Sequence, residues 1–176
     1  LTAGYANACH AVEGTDRLVF ADIGPIADCT PDDYLAVAEV FLSLGATHFL
    51  FETQPELDAL IPAFASIKQH PETAILVSFA AAQDGLTRLG QNARTLLRQA
   101  AALETVDAVG LNCICGPAHL VHLVQDVLPL SKPFSAMPNA GYPTVSGGRM
   151  VYLNNTSYYA DKLSELAAAG CAILGG

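Results

Sequence analysis

Basic residues are scarce in this chain of 176 residues: eight Lys plus Arg stand against seventeen Asp plus Glu, a net charge of −9 with the histidines neutral. With no basic stripe to neutralise phosphates, nucleic acid and an anionic membrane surface are set aside as partners. Charge of either sign is sparse, at 14% of residues against 52% hydrophobic. Such a composition lies far from that of disordered chains and demands a large buried core. Long apolar runs are also missing. Stretches such as residues 41–51 are broken by Gly45, Thr47 and His48, well short of the roughly 18 residues a membrane helix needs. No basic-then-apolar signal segment opens the chain, and its five cysteines, an odd number, make no disulfide framework. Reduced thiols and a cytoplasmic location are the expectation. The chain opens on Leu1 rather than Met and stops on Leu174-Gly175-Gly176 directly after an apolar run. Both ends therefore read as cuts in a longer protein.

What is present is a repeat. Six short apolar runs, at 17–22, 47–52, 73–79, 106–112, 133–137 and 171–174, have the near-continuous hydrophobicity of buried parallel strands. Ala- and Leu-rich segments of helical spacing lie between them, at about 30–44, 55–69, 88–103, 116–128 and 156–169, and residues 1–12 read as a further helix. Thr30-Pro31-Asp32-Asp33 combines an N-cap, a proline at the first helical position and first-turn acids, and Gly45 and Gly170 end helices. One strand every ~30 residues is the βαβ unit.

This repeat builds either an open doubly wound sheet or a (β/α)8 barrel, and both put function at the carboxyl ends of the strands. Those ends carry Asp22-Ile23-Gly24-Pro25, Glu52-Thr53, Ser78-Phe79, Asn112-Cys113, Met137-Pro138-Asn139-Ala140-Gly141 and Gly175-Gly176. Polar or Gly-rich chemistry at all six ends favours the ring of a barrel over a single crevice, and no strand is followed by a G-x-G-x-x-G turn. A flavodoxin-like binding domain is the alternative with the same repeat.

Few residues stand out as chemistry. Glu52 ends an apolar strand, where a carboxylate is costly unless a cation meets it. A bound ammonium group and a salt bridge to a neighbouring Lys or Arg fit equally well. Asp22 lies ahead of Gly24-Pro25 and reads as a turn former. Cys113 is expected at the barrel mouth, where a thiolate serves as nucleophile or soft metal ligand, though a small buried thiol is an equally common fate. Cys115 precedes Gly116-Pro117 and is expected to point away. Cys171 starts its strand and lies about 13 Å from the mouth at ~3.3 Å per residue, so it belongs to the core. His119 and His122 fall on an outer helix and read as surface. No H-E-x-x-H or hydrolase triad is visible. Asp84-Gly85 and Gly147-Gly148 read as turns, the latter tipping a small hairpin.

Taken together, DIGP (22–25), LFET (50–53), GLNC (110–113) with GP at 116–117, MPNAG (137–141), GGRMVY (147–152) and GCAILGG (170–176) give the chain a resemblance to the homocysteine S-methyltransferase domain. The chain is similar to the form at the front of cobalamin-dependent methionine synthase, or to that in bifunctional homocysteine methyltransferase/methylenetetrahydrofolate reductase proteins. The resemblance implies an incomplete (β/α)8 barrel over residues 1–176 holding strands three to eight. Missing chain, further domains or a partner chain would then complete the barrel. It implies zinc held by three cysteines, Cys113 matching the first and an adjacent pair expected beyond Gly176. It also implies Glu52 as receptor for the homocysteine amino group, with Ser78 and Asn112 on the same rim. The chemistry implied is methyl transfer to a zinc-activated homocysteine thiolate to give methionine, with methylcobalamin or methyltetrahydrofolate as donor. The fragment itself is expected to be inactive. A noncatalytic barrel fragment serving as an assembly or regulatory module is the competing expectation.

Overall fold

A computed structural model describes residues 1–141, 143–152 and 155–176, with the side chain of Pro143 outside the description. The helices are α1 (Thr2–Val12), α2 (Pro31–Ser43), α3 (Ile61–Ile67), α4 (Ala93–Ala102), α5 (Pro117–Val127) and α6 (Thr156–Ala168). The strands are β1 (Phe20–Ile23), β2 (His48–Gln54), β3 (Ala74–Phe79), β4 (Ala108–Asn112), β5 (Phe134–Met137), the hairpin pair β6 (Pro143–Ser146) and β7 (Arg149–Tyr152), and β8 (Ile173–Leu174). All six strands and six helices expected from the sequence are present, and the hairpin turns at Gly147-Gly148 as its glycines require.

The main sheet runs β1-β2-β3-β4-β5-β8 with every pair parallel. Strand order follows chain order with no reversal, which excludes the flavodoxin-like alternative and is the order of an incomplete (β/α)8 barrel. Among the described residues, β1 and β8 each pair on one side only, so both edges are open.

Alternation along the strands separates two faces. Phe49, Phe51, Ile75, Val77, Phe79, Val109 and Phe134 are buried under the helices, with Phe51 packed edge-to-face on Phe64 of α3 at 4.9 Å between ring centres. Intervening residues form the inner face: Phe20 and Asp22, Leu50 and Glu52, Leu76 and Ser78, Gly110 and Asn112, then Ser135 and Met137. Burying the helix-side aromatics contributes about 1.5–3 kcal/mol each, which fixes the register and so decides which side chains reach the inner face.

Helix ends explain where the boundaries differ from the sequence reading. At the end of α6 the Gly170 amide meets the Ala167 carbonyl and the Cys171 amide meets the Leu166 carbonyl, the Schellman arrangement. That bonding holds Cys171 on the helix, so β8 shortens to Ile173–Leu174. Similarly, α4 waits until Ala93 because Leu86 and Asn92 bridge across a tight loop and Asn92 then caps the helix through the Thr95 amide. The helix expected at 55–69 opens as a 3-10 turn at Asp58–Leu60 and becomes α3 only at Ile61, with Pro62 in its first turn. Asp84-Gly85 forms the expected turn, the Asp84 carboxylate accepting from the Leu86 amide at 3.0 Å.

Candidate functional site

At the carboxyl ends of β2 and β4 the chain is held in an unusual shape by one side chain. Asn112, 3% exposed, accepts through Oδ1 from the Thr53 amide at 2.9 Å. Its Nδ2 donates to the Thr53 hydroxyl at 2.7 Å and lies 3.3 Å from Cys113 Sγ. Thr53 has φ +58 at an irregularity in β2 between Phe51 and Gln54. A β-branched residue there costs on the order of 1–3 kcal/mol, and the double grip of Asn112 offsets it. Beyond Asn112 the backbone turns left-handed twice, at Cys113 (φ +57) and Ile114 (φ +56). The Cys113 amide still donates to the Met137 carbonyl at 3.1 Å, which leaves the Cys113 thiol half-buried beside the end of β5.

Glu52 is half-buried on the same inner face, and among the described residues no cation pairs with it. Asp22, two levels below it on β1, comes close enough for the two carboxylates to repel. Burial and then the Glu52 charge push the Asp22 carboxyl up to about 6, against a smaller lowering by the Ile23 amide. The Asp22 carboxylate accepts from the Ile23 amide, next in sequence, and also feels the neighbouring acid. Ser78 follows Val77, the partner of Phe51, and so stands opposite the start of the β2 irregularity beside Glu52. Its hydroxyl is buried with no hydrogen-bond partner among the described residues, as is that of Ser135 two strands away.

The other cysteines lie where the sequence puts them. Cys115 is buried with its Sγ 3.2 Å from the Ala81 carbonyl. Cys171 packs in the core, where burial raises its thiol to about 11. His119 and His122 are on outer helix α5.

A family model for homocysteine S-methyltransferase matches residues 1–176, the whole chain. The chain belongs to the homocysteine S-methyltransferase family. Among solved structures it is similar to the homocysteine methyltransferase MmuM from Escherichia coli. Against the apo form the identity is 22% with a TM-score of 0.67, covering 99% of this chain and 62% of that one. The metallated form gives 22% and 0.65, with 99% and 60% covered. The chain thus spans less than two thirds of the length of these structures, and the likeness supports the barrel fold. Against the curated proteins the chain finds no match.

Zinc, the metal implied by resemblance to the homocysteine S-methyltransferases, requires at least three protein ligands. Among the described residues no three of His, Cys, Asp or Glu converge. Cys113 has no second and third partner of these types among them, so the described residues do not by themselves make such a site. No described helix is long and apolar enough to cross a membrane.

Several residues that shape the site escaped sequence reasoning. Gln54, fully buried, accepts from the Tyr34 hydroxyl at 2.9 Å and donates to the Ile23 carbonyl at 2.9 Å, fastening the loop after β1 to β2. Tyr159 of α6 donates to the Pro138 carbonyl at 2.8 Å, with the Gly175 carbonyl at 3.3 Å. It thereby joins the MPNAG segment to the final glycines. A polar residue just past a strand end was the available signal for Gln54. For Tyr159 there was none, since its partners are backbone carbonyls.

Asp22 makes the fold pH-sensitive in a defined sense. Because its pKa is raised from 3.8 in the unfolded chain to about 6 in the native one, the native state holds more protons between those values. Stability therefore falls as pH rises from about 4 to 6. Asp22→Asn is expected to remove that slope and to melt higher than the parent at pH 7.5. Thermal melts of both proteins across pH 4–8 check this, and identical slopes would rule it out.

Proposed function

We propose that residues 1–176 form the homocysteine-binding part of a homocysteine S-methyltransferase barrel, a partial domain completed by further chain or a partner. The observation that carries this reading is Glu52: an inner-face carboxylate without a cation among the described residues, on the strand that Asn112 ties to Cys113. A carboxylate so placed is a receptor for an ammonium group, because the charge-assisted contact replaces the water that burial removes. In this reading Glu52, Ser78 and Asn112 bind substrate, and Cys113 is the catalytic and metal-binding cysteine. The resemblance carries with it zinc, bound through Cys113 and two cysteines supplied from outside these residues. It also carries methylcobalamin or methyltetrahydrofolate as methyl donor and methionine as product. When bound, zinc lowers the pKa of a thiol and orients it for attack. This chain's own contribution is to fix the amino end of the substrate. With one of three zinc ligands present, the 176-residue chain is expected to bind homocysteine without turning it over.

Isothermal titration with L-homocysteine tests the reading. One saturable site, absent for 4-mercaptobutyrate, which lacks the amino group, is expected. If L-homocysteine gives no binding with or without added zinc, the assignment is withdrawn in favour of a noncatalytic module.

A further inference from the structure

Strands β2 and β3 fall out of step where Glu52 sits. From Phe51 to Gln54, paired with Val77 and Phe79, β2 takes three steps while β3 takes two, which makes Glu52 and Thr53 a bulge. A bulge re-aims the side chains it carries. This one runs through the left-handed Thr53 (φ +58), a conformation that a β-branched residue does not hold unaided. What holds it is Asn112, which belongs not to the neighbouring strand but to β4, and reaches Thr53 across the end of β3. The polar atoms of that side chain are committed. Its two N–H donors meet the Thr53 hydroxyl at 2.7 Å and Cys113 Sγ at 3.3 Å, and Oδ1 accepts from the Thr53 amide at 2.9 Å. An asparagine amide has no third N–H, and the residue is only 3% exposed. No donor is left for a substrate carboxylate.

We propose that Asn112 serves substrate binding as a positioning residue, acting through Thr53 rather than by contact: by locking the bulge it fixes where the Glu52 carboxylate points. The inference rests on the homocysteine reading above and gives Asn112 its mode of action there. Without the amide, the Thr53 backbone relaxes towards the extended conformation that its side chain prefers. The extra residue is then redistributed along β2, and the side chain at position 52 turns with it. The same amide steadies the Cys113 thiol, so one buried side chain carries the relative placement of a carboxylate and a sulfur.

A double-mutant cycle separates positioning from direct contact. Glycine adopts the φ of +58 found at position 53 without strain, so Thr53→Gly makes the bulge independent of Asn112. The 176-residue chain, Asn112→Ala, Thr53→Gly and the double variant are titrated with L-homocysteine at a temperature where melts show each to be folded. Asn112→Ala alone is expected to weaken binding about 10-fold, because the strained bulge must be restored each time the ligand binds. In the Thr53→Gly background the same substitution is expected to change affinity by less than about 2-fold. An equal loss in both backgrounds overturns the proposal, because Asn112 would then be touching the substrate. Full affinity of a folded Asn112→Ala overturns it as well, as does loss of binding by Thr53→Gly alone, and all three results leave the homocysteine reading standing. If Asn112→Ala does not fold, the double variant set against Thr53→Gly decides alone: equal affinities support positioning and a gap of about 10-fold overturns it. Absence of L-homocysteine binding to the parent overturns both readings.

Discussion

Glu52→Gln is expected to weaken L-homocysteine binding by roughly 10- to 150-fold, the equivalent of losing a charge-assisted contact of about 1.5–3 kcal/mol. The substitution keeps the size of the side chain and one acceptor oxygen, so the packing of β2 against β3 is preserved. Phe51 and Val77, which set that pairing, point to the opposite face. Relief of the repulsion with Asp22 acts in the same direction on stability as in Asp22→Asn, so the variant should melt no lower than the parent. Loss of affinity without loss of stability is the signature of a substrate contact. Calorimetric titration and a melt on one sample suffice. Unchanged affinity with a lower melting temperature would mean that Glu52 serves the fold, and its substrate assignment would be withdrawn.

Gly110→Ala is expected to lower the melting temperature by about 6–12 °C, from an overpacking penalty of about 3 kcal/mol at 2–4 °C per kcal/mol for a chain of this size. A Cβ at position 110 would stand 2.5 Å from the Ser135 carbonyl oxygen and 2.8 Å from Ser135 Cβ. The nearest obstacle is backbone of β5, which no rotamer change can move, so β4 and β5 must separate. Their separation displaces Asn112, two residues on, and with it the grip on Thr53 and the neighbourhood of Cys113. Homocysteine affinity should therefore fall along with stability. Gly24→Ala is the control: no atom lies within 4 Å of a Cβ there, and its effect should stay within about 0.5 kcal/mol. Equal melting temperatures for the two variants would show that the β4–β5 contact is looser than described.

Much of this architecture is legible in the sequence because parallel strands buried on the helix side must be almost wholly apolar. Residues 74–79 and 108–112 announce themselves in that way, and the caps at Thr30 and Gly170 locate the ends of helices. Glu52, Asn112 and Cys113 are legible for the complementary reason, as polar or reactive residues closing apolar runs. What the sequence hides is contact across strands. Nothing in Asp22-Ile23-Gly24-Pro25 reveals that the acid pairs with Leu50 and so comes near Glu52 on the next strand, since that depends on register. The exchange between Asn112 and Thr53 links residues 59 positions apart, and the left-handed turn at Thr53 defies its side-chain type. Propensity is local, while these features are imposed by partners from elsewhere in the fold.

The Asn112–Thr53 bridge also says when the mouth comes into being. Loop closure over so long a separation has to be met before the bond rewards it, which makes such contacts late events in folding. Strands β2 and β3, and β3 and β4, must be zipped before Asn112 can reach Thr53, whereas the helix-side packing of Phe51 on Phe64 spans only 13 residues. On a ribosome delivering the chain from its amino end, the hydrophobic layer under α2 and α3 assembles first. Thr53 then waits, unfastened, until residue 112 has emerged. The rim that Asn112 fastens is thus a checkpoint on completion of the first four strands, and protection of the Thr53 amide from solvent exchange is its timestamp.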